Sequence, residues 1–175
     1  MLQEETFIKA FIINIVLGCI WHFIIFVVCV TVDVSFFDAD KKMYRPHKWE
    51  RCGKFYSDNL KINKWKDMLP QYIGKDGFSK DHLDNVSVEY LDTFIMETCR
   101  AEWNHTMNCL YFVVLIVINR FSMALFLSAI LFVVNLPFAV IQRYNRFRLQ
   151  KLRYTIIRKK EKEALICSRQ SIARS

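Results

Sequence analysis

The stretch AFIINIVLGCIWHFIIFVVCVTV, Ala10 to Val32, runs for twenty-three residues without a formal charge. Only Asn14, His22 and Thr31 interrupt its apolar character. As an α-helix rising about 1.5 Å per residue it reaches roughly 34 Å, enough to cross a hydrocarbon core of roughly 30 Å. A secretory signal peptide would open with a basic segment and close on a small-residue cleavage site; here Glu4 and Glu5 precede the run and Asp33 follows it. Residues 7–32 therefore read as a retained transmembrane helix, and the net negative charge ahead of the helix predicts an outside N-terminus.

The rest of the chain is bounded by that reading. At 175 residues, 53% hydrophobic, with four glycines and three prolines, it has room for one domain and is too apolar for disorder. A net charge of +8 would suggest nucleic acid if the basic residues covered a polar surface. Instead eleven of the twenty-five lysines and arginines lie between Arg143 and Arg174, against only Glu161 and Glu163, directly after a long apolar run. That is the positive-inside pattern, which also attracts anionic lipid headgroups. It argues against a nucleic-acid partner and predicts a cytoplasmic C-terminus. The six cysteines form no Cys-x-x-Cys pair and read as reduced thiols, and the four histidines show no metal-ligand spacing with them. No metal and no cofactor is expected.

A polar segment, 33–98, comes after the first span. Residues 33 to 100 carry twelve basic and twelve acidic side chains with scattered aromatics, as suits a cytoplasmic segment resting on the membrane surface. Within it, Gln71 to Gly77 reads as a loop after Pro70. From about Ser87, Val88, Leu91, Phe94 and Ile95 recur at helical spacing. Asn119 and Arg120 divide the next apolar run into a hairpin over 99–141, with limbs Cys99–Ile118 and Phe121–Ile141 and a kink at Pro137 near its end. The tail 142–175 begins with a basic interfacial helix, Arg143 to about Ala164, with Leu149, Leu152 and Ile156 on one face. The expected fold is an all-α integral membrane protein with three transmembrane helices in a single domain, located in the cell membrane.

Three clusters could carry chemistry. Glu97, Arg100, Glu102, Asn104 and His105 stand at a bilayer entrance, where helical spacing lets Glu97 meet Arg100, Arg100 meet Asn104, and Glu102 meet His105. A carboxylate that orients an imidazole is the arrangement a general base needs, and ionisable groups in a membrane segment point to function because burying them is costly. An interfacial ion pair with a histidine at headgroup level is the structural alternative. Gln142, Arg143, Tyr144, Asn145, Arg146 and Arg148 close the hairpin; their guanidinium groups suit phosphate or carboxylate, while a topological stop signal would need only the positive charge. Lys54, Lys64 and Trp65 belong to a third, amphipathic surface segment. The hairpin places the start of its first limb beside the end of its second, so the first two clusters are expected to share one site at the membrane face.

The same clusters resemble the small membrane acyltransferases typified by glycosyl-4,4'-diaponeurosporenoate acyltransferase, of staphyloxanthin-type carotenoid synthesis. The similarity runs from about Trp49 to Leu149. It rests on Gly53-Lys54-Phe55, Lys64-Trp65-Lys66, Glu97-Thr98 with Arg100-Ala101-Glu102 and His105, and Asn135-x-Pro137 followed by Gln142-Arg143-Tyr144-Asn145-Arg146-x-Arg148-Leu149. Phe147 and Cys52 depart from the pattern. The resemblance implies transfer of a fatty acyl group from an activated thioester donor to a sugar hydroxyl of a lipid-linked glycoside.

No His-x4-Asp motif is present: Val27, Cys52, Ser87 and Leu110 occupy the fifth position after the four histidines. Nor is there a Gly-x-Ser-x-Gly elbow. The acyl transfer so implied is direct attack by the acceptor hydroxyl, with His105, aided by Glu102, as base and Arg100, Arg143 or Arg146 holding donor phosphates or the oxyanion. The expected partners are membrane lipids, the acyl thioester and the lipid-linked sugar, with room for a homo-oligomer or a membrane partner. The alternative is a non-catalytic membrane subunit that binds anionic lipid or another protein.

Overall fold

Hydrocarbon offers a backbone amide no hydrogen-bond partner, so a segment that crosses it must satisfy its own amides, and helices do so residue by residue. The computed structural model describes residues 2–69, 87–119 and 121–172, and no strand occurs among them. The helices are α1 (Leu2–Thr31), α2 (Lys54–Asp58), α3 (Val88–Cys109), α4 (Tyr111–Ile118) and α5 (Phe121–Ile172). Three stretches, Phe7–Thr31, Val88–Ile118 and Ser122–Gln170, are long and apolar enough to cross a membrane. The chain is thus an all-α, multi-pass membrane protein with an N-terminal span and a C-terminal hairpin. Pro70, the loop expected at Gln71 to Gly77, and Arg120 lie outside the described residues.

The chain divides into two compact units, Met1–Asp38 with Cys99–Gln142 and Ala39–Thr98 with Arg143–Ser175. In the first, α1 turns inward at Asn14, Gly18, His22, Ile25 and Cys29, which recur every three or four residues and so share one face. Asn14, Ile25 and Cys29 are buried, while Phe7, Ile12, Val16, Phe23 and Phe26 face outward, as suits lipid. At Leu110 the hairpin's first limb tightens for one turn, with i to i+3 bonds from Leu110 N to Met107 O (3.0 Å) and from Val113 N to Leu110 O (3.1 Å) separating α3 from α4.

The second limb and the basic helix after it form one element: α5 runs unbroken for 52 residues with Pro137 inside it. Its basic half belongs to the second unit. There the stripe of Leu149, Leu152 and Ile156 packs on Leu91, Ile95 and Phe94 of α3. Arg153 is ion-paired with Asp92 beside them.

Where the hairpin turns, Asn119 leaves the helical region (φ −118°, ψ 162°). Its carboxamide forms a reciprocal pair with that of Asn14: each donates Nδ2 to the other's Oδ1 at 2.8 Å. The Tyr111 hydroxyl donates to the Asn14 carbonyl at 3.2 Å. Two amides facing each other across helices satisfy both in a medium that satisfies neither, and such bonds contribute about 0.6 to 2 kcal/mol. A double-mutant cycle of Asn14→Leu and Asn119→Leu, read by reversible unfolding in bicelles, should give a coupling of about 1 to 2 kcal/mol. Additive effects would show that the pair does not fasten α1 to the hairpin.

Candidate active site

Arg100, Glu102, Asn104 and His105 fall in the first unit, and Glu97 with the arginines of the motif in the second. In the first, His105 is half-buried on α3. Its ring stacks on Phe138 of α5, with centroids 5.1 Å apart and planes 16° from parallel. Its Nδ1 lies 3.3 Å from Asn135 Oδ1. Asn135 donates Nδ2 to the Leu131 carbonyl at 3.1 Å, which fixes its oxygen toward the imidazole. An amide oxygen can only accept, so Nδ1 carries the proton and Nε2 keeps its lone pair. Asn135, 4% exposed, therefore sets the tautomer, a role that helical spacing alone gives to Glu102. Glu102, Asn104 and Arg100 are half-buried nearby on the same helix, while Glu97 is exposed and belongs to the other unit. The Arg100 guanidinium lies over the Phe37 ring at 5.2 Å, and Phe36 and Phe37 meet Trp103 edge-on.

A groove of about 230 Å³, lined in part by the Asn135 that holds this imidazole, runs between α1, α4 and α5. Asn14, Gly18 and His22 line it from α1, Tyr111 and Leu115 from α4, and Leu131 and Asn135 from α5. The His22 Nδ1 sits 2.8 Å from the Gly18 carbonyl.

The second unit is organised by Glu50, whose side chain is fully buried. One carboxylate oxygen accepts from Arg143 Nε (2.6 Å) and the Tyr56 hydroxyl (2.5 Å). The other accepts from Arg143 Nη2 (2.9 Å) and the His47 backbone N–H (2.5 Å). Arg143 also donates to the Arg45 carbonyl at 2.8 Å and the Met43 carbonyl at 3.3 Å. Burial alone would raise the Glu50 pKa, but the hydrogen bonds from Arg143, His47 and Tyr56 outweigh it and bring it down to about 2. Burial and the bond to Glu50 push the Tyr56 phenol up, out of its ordinary range. Arg146, completely buried, lies over the Tyr44 ring at 5.4 Å and donates to the Tyr44 carbonyl.

The motifs of the polar segment converge on this stretch of α5. Arg51, Cys52 and Gly53 all have positive φ, and the reversal they make presses Gly53 (φ +92°) against Phe147, where an added Cβ would lie 3.0 Å from the Phe147 Cβ. Only glycine meets both conditions. Tyr144 donates its hydroxyl to Asn63 Oδ1 at 3.0 Å, which anchors the Lys64-Trp65 turn, and Trp65 Nε1 is satisfied by the Leu60 carbonyl. Arg143, Tyr144 and Arg146 thus face protein, while Lys54, Lys64 and Arg148 are exposed, with Gln142 and Asn145 half-buried.

Glu50, His22 and Asn14 are not among the residues that the sequence singles out for the site. A signal for the last two was present, as polar residues eight apart in an apolar run. Glu50 stood among twelve evenly balanced acidic residues with nothing in its spacing to set it apart.

This is the architecture of a helical membrane protein built to meet lipid at its own surface. The sequence pattern of the glycosyl-4,4'-diaponeurosporenoate acyltransferase family matches residues 40–154. The chain is 25% identical over 132 residues to the glycosyl-4,4'-diaponeurosporenoate acyltransferase of Staphylococcus aureus strain MRSA252, covering 73% of this chain and 78% of that protein. To the protein of the same name from strain N315 it is 27% identical over 124 residues, covering 69% and 73%. No solved structure matches. The chain belongs to the glycosyl-4,4'-diaponeurosporenoate acyltransferase family, and by class it is a membrane acyltransferase.

The depressed Glu50 pKa makes a prediction about acid stability. A folded-state value below the unfolded one stabilises the fold above about pH 4.5, and that contribution is lost as pH falls toward 2. Acid titration followed by tryptophan fluorescence should show this loss between those limits, and Glu50→Gln should remove it. Glu50→Ala, which leaves Arg143 buried without its counter-charge, should cost about 3 to 5 kcal/mol at neutral pH.

Proposed function

We propose that the protein transfers a fatty acyl group from an activated thioester to a sugar hydroxyl of a lipid-linked glycoside, with His105 as the general base. The observation that carries this reading is the imidazole whose Nδ1 is committed to Asn135, itself a wall residue of an apolar groove, which leaves Nε2 as the atom that can accept a proton. The acceptor oxygen attacks the thioester carbonyl and its proton passes to Nε2. The C–O bond forms, the C–S bond breaks, and the proton is returned to the departing sulfur as a thiol. Arg100 steadies the oxyanion. Asn104 has a buried Oδ1 with no hydrogen-bond partner among the described residues, which suits it to accept from the sugar. Glu102 lies about one turn before His105 on α3, and Glu97 stands at the helix's polar approach.

In the second unit the exposed Lys54, Lys64 and Arg148 attract the anionic donor, with the half-buried Trp65 and Asn145 on the same segments. Arg143, Tyr144 and Arg146 are positioning residues that hold these side chains in place. The eleven basic residues after Gln142 put the C-terminus in the cytoplasm, and three crossings then put the N-terminus outside.

His105→Ala should lower ester formation in membranes by about 10² to 10⁴-fold, with the protein still inserted. Asn135→Leu should also lower it, and Asn135→Gln or Asn135→Asp should restore part of the rate by returning an acceptor oxygen to Nδ1. Unchanged acyl-ester profiles for His105→Ala, measured by mass spectrometry of lipid extracts, would remove His105 from the chemistry.

A further inference from the structure

The groove in the first unit has two unlike ends. At one end stand His22 and Asn135, and Asn135 holds His105. At the other end the Asn14–Asn119 amide pair joins α1 to the hairpin turn. Between them the lining is aliphatic: Ile15, Leu115, Leu127, Ile130, Leu131 and Val134. Gly18 forms part of the wall, and the space before its Cα is bounded by the Tyr111 ring, whose edge would lie 3.5 Å from an added Cβ. From His22 to Asn14 is eight residues of helix, about 12 Å. Ile15, Ile130 and Val134 of its lining are exposed on membrane-spanning helices, so the groove is open on that side.

We infer that this groove holds the acyl chain being transferred, with its carbonyl at the His22–Asn135 end and its tail running past Gly18 toward Asn14, so that Gly18 and Asn14 limit the chain length accepted. The inference rests on the acyl-transfer reading of the same site. The physical case is one of matched surfaces. A fatty chain makes no hydrogen bonds, so it belongs against aliphatic walls within the hydrocarbon layer, whereas its carbonyl needs polar groups, and the groove supplies these at one end only. The second polar group, Asn14, is satisfied by Asn119 and by the Ala10 carbonyl. It therefore closes the groove without offering itself to a ligand. The open side also explains entry: a chain already in the bilayer slides in laterally and does not cross an aqueous gap.

Gly18→Leu places a branched side chain about 6 Å short of the Asn14 end. It should shift the esters formed toward shorter chains, seen as lower-mass acyl groups in lipid extracts. Leu131→Ala, on the opposite wall, should broaden acceptance, while Ile20→Trp, on the exposed face of α1, should leave the profile as in the wild type. A second measurement does not depend on turnover: palmitic acid bearing a terminal diazirine, added to membranes and photolysed, should label groove residues near Asn14 and Ile15, and Gly18→Leu should suppress that labelling. An unchanged chain profile in Gly18→Leu together with labelling spread evenly over outward residues such as Phe23 and Phe26 would overturn the groove assignment. If the wild type makes no ester yet the label still maps to the groove and is lost in Gly18→Leu, the acyl-transfer reading falls and the chain site stands.

Discussion

A polar side chain within the bilayer must find its partner inside the protein, and much of the first unit is built on that constraint. Asn14 and Asn119 meet as a closed amide pair. Trp21 Nε1 donates to the Met107 carbonyl, and Thr31 returns its hydroxyl to the Val27 carbonyl one turn earlier. Asn135 is held the same way by the Leu131 carbonyl. In water this last bond would be one option among many; in hydrocarbon it fixes which atom of the carboxamide faces His105. The tautomer of a half-buried imidazole is thus set by the solvent the helix lies in.

The second unit solves the opposite problem, that of ordering a polar segment with little regular structure. Its short helical turns bury few apolar side chains, so a fully satisfied carboxylate takes over the organising role. Glu50 accepts from four donors, and the arginine that supplies two of them also ties down the carbonyls of Met43 and Arg45. Removing two charges from water is expensive, and the attraction between them offsets that cost only when the remaining lone pairs are met as well. Both carboxylate oxygens of Glu50 are met twice. The consequence is geometric: the left-handed run Arg51-Cys52-Gly53 is tolerated because both its flanks are pinned, and Lys54 and Lys64 are left exposed.

Periodicity and charge carried the spans, because a helix in lipid has to be apolar along its length and basic at its cytoplasmic end. They left open whether the second limb and the basic helix after it are one element; the first turns of α3 cover Leu149 and Leu152 and so favour an unbroken helix. The spacing Glu102 to His105 pointed to a base with a carboxylate behind it. It could not reveal Asn135, thirty residues away, whose partnership depends on how two helices pack. Arg143 and Arg146 were legible as important and not as buried, since an arginine that holds a loop and one that holds a phosphate look alike in sequence.

The presence of an amide where hydrolytic enzymes commonly place an aspartate is a matter of depth. A carboxylate behind His105 would bring a permanent charge into a low-dielectric setting, with desolvation to be offset at all times, including when no substrate is bound. A neutral amide fixes the same tautomer without that charge. In the proposed reaction, charge then develops only as the hydroxyl proton moves to Nε2, and it arises together with the oxyanion that balances it. The exposed basic residues of the second unit face no such constraint. They are exposed, and solvent screens them. Each unit thus meets its own constraint: neutral hydrogen bonds among the apolar spans of the first, and a buried ion pair with exposed cations in the second.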